Sequence, residues 1–85
     1  MTTKYLPDGL SAETYGILCN AFARSATSAR AEADQAAQES AELPASASRD
    51  AKAQRLNNVY RAATDAAITL DLLAAEAHLC RIART

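Results

Sequence analysis

Leu43-Pro44-Ala45-Ser46-Ala47-Ser48 is the stretch in the body of this 85-residue chain where a helix cannot run on. Proline lacks the amide hydrogen that a helix interior needs, and its ring clashes with the preceding turn. It also disfavours helical geometry at the residue before it, here Leu43. On the N-terminal side the sequence runs from Ala12 to Glu42 with Gly16 as its one weak residue, and on the C-terminal side it reaches Thr85 without glycine or proline. The pattern predicts helix 1 over about 12–42, a loop over 43–48 and helix 2 over about 49–83. Two long helices joined by a short loop make an antiparallel helical hairpin, a single all-α domain over 11–85.

Residues 1–10 read as an arm ending in the turn Pro7-Asp8-Gly9-Leu10. Ser11 is a good N-cap for helix 1, with Glu13 suited to the positive end of the helix dipole. Leu10 and Tyr15 have the spacing of a hydrophobic staple. Ser46 or Ser48 can cap helix 2, with Asp50 near its start.

Composition excludes the alternatives. Apolar residues make up 49% of the chain, but 22 are alanines and 20 are larger. One Val, one Phe, three Tyr and no Trp cannot furnish a sandwich or barrel. Charged residues at 22% with a net charge of −1 do not describe a disordered tail. A small core supplies only ~3–5 kcal/mol, and alanine lowers that further. Cys19 and Cys80 are too few for a disulfide framework, so assembly with a second chain is the expected source of extra stability. Without a secretory signal or a ~20-residue apolar run, a cytoplasmic protein with free thiols is expected. A pI near 5.7 gives no general pull toward nucleic acid or anionic lipid.

Helix 2 carries a heptad stripe at Leu56, Val59, Ala63, Ala66, Leu70, Leu73, Ala77 and Cys80. Helix 1 carries Tyr15, Leu18, Phe22, Ala26, Ala29, Ala33 and Ala37, with a period closer to 3.6. Folding about Pro44 sets alanine against alanine near the loop and bulk against bulk at the open end. It also sets Glu32, Asp34, Glu39 and Glu42 across from Arg49, Lys52, Arg55 and Arg61. Such pairs orient the helices more than they stabilise them.

One feature exceeds what a hairpin needs. Ile68, Leu72, Ala75, Leu79 and Ile82 form a second stripe opposite the first, so the last half of helix 2 is apolar all round. Either the arm residues Tyr5 and Leu6 fold back over the surplus, or another chain covers it. The expectation is a homodimer, two hairpins in a four-helix bundle, or a groove for a helix of another protein. Tyr15, Ile17, Phe22, Ile68, Leu72, Leu79 and Ile82 are the candidate interaction residues.

Polar residues offer little chemistry. Cys19 and Cys80 lie on or beside apolar stripes, out of register for a bridge, and read as buried small hydrophobes. Glu76-Ala77-His78 lacks the Glu-x-x-His spacing that places two metal ligands on one helix face. No enzyme, cofactor, metal or small-molecule substrate is expected. Arg49, Lys52, Arg55 and Arg61 form a modest basic strip, and in gross shape the hairpin resembles the dimeric Rop-like RNA-binding hairpins. That resemblance implies, as the alternative, RNA or DNA binding through the strip. The leading expectation is a non-enzymatic protein-binding module: an adaptor, a secretion co-chaperone, or a phage- or plasmid-borne inhibitor of host machinery.

Overall fold

A computed structural model of the chain describes residues 5–45 and 48–85. Its elements are α1 (Ala12–Ala41) and α2 (Arg49–Arg84), packed against each other. They run antiparallel: Gly16 lies against Arg81, Arg30 pairs with Asp71, and Ser40 shares a cleft with Leu56. Helix α2 has 36 residues, about 54 Å at 1.5 Å per residue, and the molecule measures 58 × 23 × 13 Å. It is therefore one helix thick and two helices wide, for nearly the whole length of α2.

The local signals account for the ends. Ser11 has extended backbone (φ −72°, ψ 157°), and its Oγ accepts the Thr14 amide at 3.1 Å, satisfying one of the free donors of the first turn. After Ala41 the Glu42 amide still reaches the Gln38 carbonyl at 3.1 Å, and the chain then leaves the helix at Leu43 before Pro44. Ser48 starts α2 without a side-chain capping bond. The expected alternative cap, Ser46, lies outside the described residues. Arg81 and Arg84 occupy the last turn of α2, the favourable end of its dipole for cations, whereas the last turn of α1 has no base.

The core is small and mostly alanine. Tyr15, Ala26, Ala33, Ala36, Ala63, Ala67 and Ala77 are buried, flanked by half-buried Leu18, Phe22, Leu70 and Leu73. Two expected seam positions are displaced by one residue. Ala36 is buried where Ala37 was expected, and Ala67 is buried where Ala66 was expected; Val59 is exposed. The reason lies in α1. Its buried alanines 26, 33 and 36, with half-buried Ala29 between them, are spaced 3, 4, 3, so α1 follows the heptad rule rather than a 3.6 period. Adjacent alanines at 36–37 and 66–67 look alike to any hydrophobicity pattern, and only the facing helix decides between them.

The charged stretches near the loop come together without pairing. Glu39, Glu42, Lys52 and Arg55 line one cleft with Leu43 and Leu56. The two acids are instead bonded along their own helix, Gln35 Nε2 donating to Glu39 Oε1 at 3.1 Å and Gln38 Nε2 to Glu42 Oε1 at 3.3 Å. Among the described residues, the ion pair that joins the helices is Arg30–Asp71, half-exposed on both sides.

Candidate interaction surface

The arm closes one end of the hairpin. Tyr15, only 1% exposed, sends its hydroxyl to the Pro7 carbonyl at 2.5 Å. Across the open end, Glu76 of α2 takes the arm's backbone: Oε1 accepts the Tyr5 amide at 2.9 Å, and Oε2 accepts the Leu6 amide at 2.6 Å. An ionised carboxylate is acceptor-only and forms the stronger class of hydrogen bond with backbone amides. Gly9 makes the bend between these anchors and α1 with φ +92°, a conformation that L side chains rarely adopt. Glu76 was not singled out from sequence for this role. Its signal was there: a lone carboxylate in Leu73-Ala74-Ala75-Glu76-Ala77, a segment otherwise apolar, requires a partner when the helix is half-buried.

The docked arm leaves the second stripe of α2 open. Leu6 is half-buried, but Tyr5 remains 71% exposed, and Ile68, Leu72, Leu79 and Ile82 are between 54% and 65% exposed. These four residues and exposed Ala75 are spaced 4, 3, 4, 3 along one face of α2, largely turned from α1; Ile68, at its edge, also lines a groove with Arg30, Ala33 and Asp34 of α1. Glu76 lies beside them, so the arm runs along one flank of the stripe rather than over it.

The other candidate interaction residues lie elsewhere. Tyr15 belongs to the core and presents no surface. Phe22 is half-buried. Ile17 is 62% exposed, but two residues from buried Tyr15 it points about 200° around α1, toward the outer edge of that helix. The outer edges of two helices in one layer face opposite ways, so Ile17 is not continuous with the α2 stripe.

The basic strip is divided. Lys52 and Arg55 line the cleft that also holds Glu39 and Glu42, so each base has acids close by. Arg61, six residues beyond Arg55, is turned about 120° from it around α2. Tyr60, an aromatic 41% exposed, lies in grooves lined mainly by α1 alanines and by Leu56, Thr64 and Ala67. Cys19 and Cys80 are free and half-buried. His78 Nδ1 accepts from Arg81 Nη2 at 2.9 Å, since a guanidinium can only donate. Among the described residues no three of His, Cys, Asp and Glu are grouped so as to hold a metal ion, and no helix is long and apolar enough to cross a membrane.

The accessible surface is 6059 Å² for a mass of 9.0 kDa. A compact monomer of that mass exposes about 4,900 Å². The excess follows from a single-layer shape, in which each helix has one covered side. No protein family, curated protein or solved structure matches this chain.

Proposed function

We propose that this chain is a non-enzymatic interaction module that works through the outer face of α2 and assembles as a dimer of hairpins. The observation that carries this reading is the row Ile68, Leu72, Leu79 and Ile82, large aliphatic side chains more than half exposed along one helix face. Contiguous apolar surface of this kind marks sites of protein association. The arm strengthens the reading, because the segment best placed to cover the row is fastened beside it by Glu76. Excess surface on a thin hairpin gives assembly a second motive. Small adaptors, co-chaperones and inhibitors, including those borne by phages and plasmids, work by binding of this sort.

The test pairs two changes on the stripe with a check on folding. Leu72→Asp with Leu79→Asp places charges at exposed positions, so helicity by circular dichroism stays at the wild-type level. Association, with itself by sedimentation or with a captured protein partner, falls below detection. Full association in the double variant would sink the proposal.

A further inference from the structure

We infer that the outer face of α2 receives α2 of a second copy, running antiparallel, with the two-fold axis passing at Ala75. This rests on the proposed interaction role of that face and names its occupant and geometry. Three observations converge on it.

First, the stripe reads the same in both directions: Ile68, Leu72, Ala75, Leu79, Ile82. About Ala75 the other members stand at −7, −3, +4 and +7, the alternation of an a/d seam. A two-fold interface is self-complementary, so that residue i meets j and j meets i. Antiparallel pairing centred on Ala75 sets Ile68 opposite Ile82 of the second copy and brings Leu72 within one residue, about 1.5 Å along the axis, of its Leu79. The two Ala75 residues meet at the axis, where small side chains let the helices approach closely.

Second, polarity favours the antiparallel direction. Antiparallel pairing opposes the dipoles of the two α2 helices, whereas parallel pairing aligns them. The charges of Asp71, Arg81 and Arg84 are turned toward α1 instead: Asp71 is bonded to Arg30, Arg81 lies against Gly16, and Arg84 follows buried Ala77 by two turns on the same side of the helix.

Third, the area is sufficient. Four aliphatic side chains half-exposed or more leave roughly 100 Å² each, on the order of 800 Å² for two copies. Ala75, the flanking polar residues and exposed Tyr5 of the arm raise this past the ~1,000 Å² that a specific interface needs. Because the stripe lies opposite the α1 seam, the four helices stand edge to edge in the order α1, α2, α2, α1. The dimer is an extended sheet of helices, with the two loops at opposite ends, rather than a compact square bundle.

Disulfide trapping tests the geometry in a background with Cys19→Ala and Cys80→Ala. Light scattering should give twice the 9.0 kDa chain mass at tens of micromolar. Under mild oxidation, a mixture of Ile68→Cys and Ile82→Cys chains should cross-link to a dimer. Neither should cross-link by itself, because antiparallel pairing separates identical positions by about 21 Å. Ready cross-linking of Ile68→Cys with itself would overturn the antiparallel arrangement while leaving the stripe as the interface. A monomer at all concentrations would overturn the second copy as occupant, yet a different protein lost on Leu72→Asp would still satisfy the broader proposal.

Discussion

The Tyr15 hydroxyl donates to the Pro7 carbonyl at 2.5 Å, so the one large side chain wholly buried among the described residues also ties down the arm. Tyr15→Phe should therefore separate the two roles. Packing survives, one hydrogen bond is lost, and stability falls by about 0.5–1.5 kcal/mol. Tyr15→Ala removes the packing as well, at about 3–5 kcal/mol, which leaves a chain with so small a core largely unfolded. Urea titration followed by circular dichroism distinguishes the two variants. Equal losses would show that the ring contributes nothing beyond its hydroxyl.

Glu76 holds the other side of the arm through two backbone amides. Glu76→Ala should release residues 5–10 without unwinding either helix. Limited proteolysis should then cut the arm faster while the α1–α2 body persists, and amide exchange at Tyr5 and Leu6 should rise. Unchanged protection at those amides would show that the carboxylate is not their anchor.

The two glycines should respond with opposite signs. Gly16 lies inside α1, where a Cβ would meet the Arg81 side chain at 3.4 Å, an ordinary contact with a flexible stem. Gly16→Ala gains helix propensity, about 0.5–1 kcal/mol, or several degrees in Tm. Gly9 has open space around it but a φ of +92°, so Gly9→Ala strains the bend and weakens arm docking by about 1 kcal/mol or more. Thermal melts of the pair give the comparison, and stabilisation by both would remove the backbone argument for Gly9.

Neighbouring alanines should likewise differ. Leucine at buried position 67 has no room, and overpacking costs about 1–3 kcal/mol. Leucine at exposed position 66 should stay within about 0.5 kcal/mol of wild type. The reverse order would return the seam to the positions that periodicity on α2 suggests.

The contrast between Ala66 and Ala67 shows how far sequence carries the fold. Pro44, the Ser11 cap and the uninterrupted flanks give the hairpin and its ends to within a residue or two. Apolar spacing gives the existence of two stripes on α2 and the exposure of Ile68, Leu72, Leu79 and Ile82. It does not give which of two adjacent alanines faces inward, because methyl groups carry no preference until the partner helix is placed. The ionic expectation failed to form for a related reason. Glu39 and Glu42 have amide partners four residues back, on the same helix, and local bonds need no exact placement of a second element. The arm was hardest to read, since its anchors pair residues 71 and 70 positions apart in sequence. A lone acid in an apolar segment announces that it has a partner but not where.

The alanine half, from Ala26 to Ala36 on α1 and across to Ala63 and Ala67 on α2, is buried through repeated small contacts, with Leu56 and Tyr60 lining the grooves beside them. It works as a ruler. Removing or adding seven residues on each helix there would preserve the a/d phase of both strands of the hairpin. Each such step would move the loop by about 10 Å relative to the Tyr15 end and leave the arm, the stripe and their register untouched. The distance between the loop and the Tyr15 end is thus a quantity that this fold can change in whole heptads, at no cost to the exposed stripe proposed to bind a partner.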